Sequence, residues 1–459
     1  MKILREEEIG KPKASGEFVA INRLRHNIVC IKENDGKILI ERIAVRSKIR
    51  NIVDSYELVS NGNVEIRKLD LKTANHIVDS IVYGKKEWSD AFVVPEEDFD
   101  VKDFDWTKSE KEHKFTSTGI KFWRHKESME SYRSGGNRTV ISTHISPEGA
   151  CNLKCPYCSV TYRDTHSRIA LPRIKDYVTQ LKDRGLKAAI LSGGGEPTLY
   201  KQFPELVSWL KYDQGLSVGL ITNGTQFKRF PDEIYKAFSW IRISVNVFDG
   251  WEDKIGSNFK KELLDPECVT GCSMVYTVEH QSAKDAPDSR EELFKKVGKI
   301  ADRVGAEYIR LLPNCLLEQK QLLLEHAALQ KTLEKINDGR FFQQYKVHGA
   351  PKSSVCHQAY FRPYLSEEPW EDGEPGTVYP CDSVVLNDSV AHFNKVYGVA
   401  KLEDVGKFMD GKITMKFDPR EKCHGCVFTD NVNTLDGWKN EGKERFEEFS
   451  DPLKHEEFV

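Results

Sequence analysis

The eight residues Cys151-Asn-Leu-Lys-Cys-Pro-Tyr-Cys158 place three thiols in one short stretch, at positions 151, 155 and 158. Soft thiolates at this density suit an iron–sulfur cluster, and three of them leave its fourth iron open to another ligand. A structural zinc site usually closes with four ligands, often as two separated pairs, so a lone triad argues against a zinc ribbon. A second set lies far downstream as Cys356, Cys381 and the pair Cys423-His-Gly-Cys426. Four thiols in this order could hold zinc, for which a Cys-x-x-Cys pair is common.

Such ligands need a scaffold, and from residue 138 onward apolar runs alternate with amphipathic helices, the pattern of a parallel βαβ fold. Strands are predicted over 139–145, 187–192, 217–222, 240–246, 272–278 and 307–312. Helices are predicted over 172–185, 204–211, 232–238 and 319–336, with one more opening at a Ser289/Glu292 capping box. Six strands predict an α/β architecture, a partial (β/α)6 parallel barrel over 138–340. Functional groups in such barrels gather at the C-terminal strand ends. The triad follows the first strand. Ser192-Gly-Gly-Gly-Glu-Pro-Thr follows the second, where Gly194 and Gly195 let backbone approach a ligand and Glu196 offers a carboxylate to a cationic amine. Asn223 follows the third strand, and Ser244 and Asn246 share one face of the fourth; these could hold a ribose and a carboxylate.

The cysteine spacing, with Tyr157 in the aromatic slot and Gly194-Gly195-Glu196 one βα unit later, resembles the radical S-adenosylmethionine (SAM) superfamily over about residues 138 to 315. The resemblance implies that Cys151, Cys155 and Cys158 hold a [4Fe-4S] cluster. SAM would chelate its open iron, with the Gly-Gly-Glu segment on the amino group. Reductive cleavage would then give methionine and a 5′-deoxyadenosyl radical that abstracts hydrogen from substrate. Beside such a core, Cys356, Cys381, Cys423 and Cys426 resemble the twitch domain, a shortened relative of the SPASM extension. That implies an auxiliary [4Fe-4S] cluster, zinc being the alternative. With four thiolates it would conduct electrons, so an oxidative outcome is expected. Maturation of a ribosomally made peptide is the role the resemblance implies first. Chemistry on a small metabolite, sugar or nucleotide is the alternative, and a metal-binding regulatory protein a third. An electron donor such as flavodoxin or ferredoxin is implied as partner.

At 459 residues the chain predicts two or three domains. Residues 1–85 read as a small β-rich accessory domain, with hairpins turning at Asn34-Asp-Gly and Asn61-Gly62, a helix capped by Thr73, and Cys30 packed in a strand. Residues 86–137 read as a polar, acidic linker and 341–459 as the cluster-binding extension. A net charge of −3 with 30% charged residues gives no global drive toward nucleic acid or anionic membrane. No run approaches the roughly eighteen apolar residues of a membrane helix, and the N-terminus lacks a signal-peptide core. A cytoplasmic location is expected, where eleven cysteines serve metal or redox chemistry better than disulfides. Three places keep more than one reading. Cys315, after the sixth strand, could donate hydrogen, act on substrate or ligate a cluster, or be a small buried hydrophobe. Tyr162, Arg163, Asp164 and His166 could orient substrate at the site rim or lie in a solvated loop. Arg310 could meet a carboxylate or phosphate, or form a structural ion pair. His424 is expected to be placed by its turn, and Cys268 and Cys272 to pack.

Overall fold

A computed structural model describes residues 106–459 apart from 156, 161–162, 246–251, 277–289, 318 and 387–395, together with five strands within 17–69. Of those five, β1 (Glu17–Asn22), β2 (Asn27–Asn34) and β3 (Lys37–Ala44) form an antiparallel sheet, and β4 (Tyr56–Val59) pairs with β5 (Glu65–Leu69). Both pairings fall where the two predicted turns require. The helix expected after Thr73, its capping box counterpart at Ser289 and the Cys30 side chain lie outside the described residues.

The main sheet has ten strands in the order β12-β11-β10-β9-β8-β7-β6-β13-β14-β15. Its six predicted strands are β6 (Ser142–Ile145), β7 (Ala188–Leu191), β8 (Ser217–Thr222), β9 (Trp240–Ser244), β10 (Val269–Tyr276) and β11 (Tyr308–Pro313). Every neighbouring pair among them is parallel. A seventh, β12 (Phe341–Gln343), adds parallel to β11; at three residues it is too short to show an alternation in sequence.

The chain beyond β12 departs from the expected separate extension. β13 (Tyr364–Pro369) pairs parallel with β6, and β14 (Pro375–Tyr379) and β15 (Ala400–Lys401) continue antiparallel from it. The C-terminal segment thus widens the core sheet instead of standing apart at residue 341. Among the described residues no pairing joins β12 to β15.

Strand parity sorts the side chains. One face of each strand carries Val218, Leu220, Ile241, Ile243, Met274, Ile309 and Leu311, all buried beneath the helices. Helix Leu171–Lys182, with proline in its first turn, contributes Ile174, Tyr177, Val178 and Leu181 to the same core. Cys268 and Cys272 pack there as expected, their thiols pushed up to about 12 by burial. The opposite face carries Ile190, Trp240, Val269, Tyr308 and Phe342, which cluster with Phe458 from the C-terminus.

The described part of the predicted linker is folded. Helical segments span Glu110–Phe115, Gly119–Arg124 and Lys126–Arg133. Phe122, Trp123 and Met129 are buried against Phe361, Leu435, Trp438 and Val459. Each segment is only six to eight residues long, and acidic residues dominate the composition just before them, which conceals their apolar positions in the sequence. Ser109 caps the first by accepting the Glu112 N–H at 3.1 Å. Glu112 itself is 1% exposed and accepts the Tyr345 N–H at 3.2 Å, fastening this layer beside β12.

Burial pushes the Glu112 carboxyl from 4.5 up to about 7. The folded state therefore binds more protons than the unfolded chain between these values, and this group's contribution to stability is lost as pH rises through them. His125, His144, His326 and His455, all depressed by burial, act in the opposite sense over part of that window. The clean readout is a difference: the melting temperature of Glu112→Gln relative to wild type should rise between pH 5 and pH 8. A difference that is flat or falls with pH would contradict the assignment.

Candidate metal and cofactor site

The cysteine loop leaves the C-terminal end of β6, and Cys151, Cys155 and Cys158 are all half-buried. Cys151 Sγ accepts the Leu153 N–H at 3.5 Å, and the Cys158 N–H donates to the Cys155 carbonyl at 3.1 Å. Arg163, predicted on the rim, turns back onto the loop. Its Nη1 donates to Cys158 Sγ at 3.4 Å and to the Val160 carbonyl at 2.8 Å, and its Nε to the Gly149 carbonyl at 2.8 Å. Burial pushes the Tyr157 hydroxyl well up, and all three cysteines add to that shift, so the three sulfurs lie within electrostatic reach of one ring. Asp164 and His166 are exposed, the latter's N–H closing a turn onto Asp164 Oδ1 at 2.9 Å. Tyr162 lies outside the described residues.

The glycine loop fits against this one with no room for side chains. Gly195 donates to the Glu148 carbonyl at 3.0 Å and Glu196 to the Ala150 carbonyl at 2.8 Å. A Cβ on Gly195 would overlap the Ala150 carbonyl oxygen, and one on Gly194 would overlap the carboxylate of Glu367. Glu196 is 3% exposed, and its carboxylate serves the loops themselves. Oε1 accepts from Thr198 N at 3.1 Å, Thr198 Oγ1 at 2.6 Å and Thr222 Oγ1 at 2.6 Å; Oε2 accepts from Asn223 N at 2.7 Å. Oε1 is saturated, which leaves Oε2 as the edge with capacity for a further donor. Asn223 is also engaged: its amide donates to Asn152 Oδ1 at 2.8 Å, and Asn152 in turn donates to Thr225 Oγ1 at 2.8 Å. The residues expected to grip a ligand thus first grip one another.

Ser244 ends β9 on the face it shares with Arg242, while Asn246 lies outside the described residues. Cys315 is half-buried just after β11, its thiol pushed up by burial and drawn back by Lys346 and Arg310. Glu367, on β13, escaped the sequence reading. It is 1% exposed, and burial pushes it up to about 7 against the pull of the Ser146 and Ser366 hydroxyls. Ser146 Oγ also accepts the Gly194 N–H at 2.8 Å, so β13 reaches the glycine loop across the end of β6.

Of the downstream cysteines, Cys356, Cys423 and Cys426 are buried and Cys381 is half-buried. Burial pushes all four thiols up. Cys426 and Cys423 raise Cys356 further, Cys356 raises Cys381, and Cys381 raises Cys423, so the four lie within electrostatic reach of one another. Cys426 exchanges backbone hydrogen bonds with Gly349 at 3.1 and 3.2 Å. His424 is exposed in the turn between the pair. Among the described residues no three His, Cys, Asp or Glu side chains converge as around a single metal ion. A cubane takes each thiolate at a separate corner and does not require that convergence. Thiols this buried stay neutral and inert unless a metal deprotonates them. Both sets fit an iron–sulfur group in donor chemistry.

Residues 145–262 match the family model described as the Radical SAM superfamily. Over 109 residues the chain is 36% identical to the S-adenosylmethionine-dependent nucleotide dehydratase of Selenomonas ruminantium, covering 23% of this chain and 38% of that protein. Over 226 residues it is 25% identical to a probable GTP 3′,8-cyclase of Methanococcus vannielii, covering 46% of this chain and 73% of that one. Among solved structures, Streptococcus suis SuiB bound to S-adenosylmethionine superposes with a TM-score of 0.39 at 14% identity, over 58% of this chain and 67% of that chain. BtrN in complex with AdoMet and 2-DOIA gives 0.33 at 12%, over 65% and 97%. The superfamily match covers the cysteine loop, the glycine loop and Asn223. Among the described residues no helix is long and apolar enough to cross a membrane.

The lacing at Glu196 predicts that Glu196→Gln, which turns an amide NH2 toward existing donors, costs about 1–3 kcal/mol of stability. Urea unfolding of the iron-free protein followed by tryptophan fluorescence reads this. An unchanged midpoint would show that the carboxylate does not hold the loops.

Proposed function

We propose that the chain is a radical SAM enzyme in which Cys151, Cys155 and Cys158 bind a [4Fe-4S] cluster and the Gly194-Gly195 loop receives the methionyl end of SAM. When bound, these cofactors supply a low-potential electron and a 5′-deoxyadenosyl radical that takes hydrogen from the substrate. The observation that carries this reading is the hydrogen bonding of the cysteine loop to the glycine loop, through Gly195 and Glu196 N–H groups on Glu148 and Ala150. Triad and glycines thereby share one surface at the ends of β6 and β7. Arg163 offsets thiolate charge at Cys158, and Glu196 fixes the three loops. Strand order supports a partial barrel whose inner face keeps water from the reacting atoms. An external donor such as flavodoxin or ferredoxin would supply the electron.

Cys356, Cys381, Cys423 and Cys426 would hold an auxiliary [4Fe-4S] cluster in a twitch-like extension. Four thiolates leave no open iron, which favours an electron-accepting role and an oxidative outcome. For the substrate, the peptide reading rests on family analogy. The second reading, a small phosphorylated metabolite or nucleotide, rests on one observation: the cavity on the inner face of the sheet is lined by six Lys or Arg residues against one carboxylate. The names of the two curated relatives, a nucleotide dehydratase and a GTP cyclase, point the same way.

Anaerobically reconstituted protein should hold about eight irons and, once reduced with dithionite, convert SAM to 5′-deoxyadenosine. Cys155→Ala should abolish that conversion. Replacing Cys423 and Cys426 together by Ala should leave about four irons and retain SAM cleavage. Wild-type protein with no 5′-deoxyadenosine would overturn the radical SAM reading, and four irons with one zinc would overturn the auxiliary cluster.

A further inference from the structure

We propose that the cavity on the inner face of the sheet is a built anion site that takes the phosphate groups of a small phosphorylated substrate, with Arg242, Arg310, Lys346 and Arg362 as its ligands. This deepens the second substrate reading above and rests on it. The cavity has a volume of about 160 Å³ and opens to solvent. Register places two of the arginines on its wall: Arg242 stands beside Gly271 and Tyr308, and Arg310 beside Ser273, one step nearer the C-terminal strand ends.

The partners of Arg310 and Arg242 are neutral, and Arg362 has one carboxylate, Asp382. Arg310 donates to Ser273 Oγ at 2.7 and 3.0 Å and to Gln344 Oε1 at 2.7 Å. Arg242, 8% exposed, donates to Tyr308 Oη at 3.1 Å and the Phe115 carbonyl at 2.6 Å. Arg362, 3% exposed, gives Nη2 to His144 Nε2 at 2.8 Å and to Asp382 Oδ1 at 3.2 Å, while its buried Nε and Nη1 have no hydrogen-bond partner among the described residues. Lys346 and Arg362 both lie over the Phe428 ring, 4.8 and 4.9 Å from its centroid. Asp382 is the single carboxylate among the described lining residues, against four cations in this group alone. Glu112 lies near Arg310 and Lys346, but burial favours its neutral form.

Charge brought out of water without a full counter-charge is costly, and here four cations share the one carboxylate of Asp382. The crowding is visible at Arg310, which burial and the neighbouring Arg242 pull down to about 9. An anion entering the cavity removes that cost, and guanidinium forks match phosphate oxygens in pairs. A peptide would bring neutral amides to the same wall and leave the charges unpaired. Polycarboxylates share the anionic chemistry, so the test separates the two sources.

The test uses the full-length, cluster-loaded protein and isothermal titration calorimetry at fixed ionic strength, with tripolyphosphate and citrate as separate probes. Wild type should bind tripolyphosphate more tightly than citrate. Arg310→Met and Arg362→Met should each weaken tripolyphosphate binding by about tenfold or more. Without ligand Arg310→Met should melt at or above the wild-type temperature, because a charge with only neutral partners has gone, whereas Arg362→Met strips Asp382 of its partner and is read by affinity alone; Arg310→Lys should lose less affinity than Arg310→Met. Equal binding by wild type and both Met variants would mean an adventitious ion only. Tighter citrate binding, no binding, or a lowered ligand-free melting temperature in Arg310→Met would each overturn the proposal. Anion binding needs no SAM, so wild-type 5′-deoxyadenosine formation reports separately on the radical SAM assignment.

Discussion

The buried carboxylate of Glu196 is the interaction on which the site depends. It accepts four hydrogen bonds, from Thr198 on its own loop, from Thr222 at the end of β8 and from Asn223 just after it. Asn223 passes the connection to Asn152 in the cysteine loop. Three loops from three consecutive parallel strands are thereby held as one body. A cluster ligated from a loop needs such bracing, because thiolates that drift apart lose their metal. The local dielectric strengthens every bond in the network and makes each unpaired member expensive, so the arrangement is stable as a whole and fragile in its parts.

The sheet divides two incompatible environments by strand parity alone. Alternate residues of β8 to β11 enter an apolar core under the helices, where Ile, Leu and Val need no partners. The other residues face inward, and at Arg242 and Arg310 they bring charge into the interior. The C-terminal segment completes this inner environment: β13 pairs with β6 and brings Glu367 to the glycine loop and Arg362 to the cavity, and Phe458 packs on Trp240 at 5.3 Å. The four downstream cysteines belong to that same segment, so a group bound there would be coupled to the wall of the cavity through Arg362, Asp382 and Phe428.

What the sequence made legible was local. Six strands could be read because each is a short apolar run between turn residues, and the cysteine triad because its ligands sit within eight residues. The glycine loop could be read because it follows a strand at the expected place. Non-local pairing was hidden: nothing in residues 364–369 announces a partner at 142–145, so the extension looked separable and Glu367 went unnoticed. The helices between 110 and 133 were hidden by brevity. Arg242 carried a usable signal, a charge inside Trp-Ile-Arg-Ile-Ser, where a central parallel strand is expected to be apolar on both faces. Arg310, in Tyr-Ile-Arg-Leu-Leu, repeats it one strand-pair away. Arg362 and Lys346 stand outside the strands and gave none.

The central claim is that the cysteine loop and the glycine loop form one site shared by a cluster and SAM. Electron paramagnetic resonance of the dithionite-reduced protein, recorded before and after SAM is added, tests it most directly. The account predicts that the signal of one cluster shifts on addition of SAM and that this SAM-sensitive signal is missing from Cys155→Ala. A spectrum identical with and without SAM would contradict it.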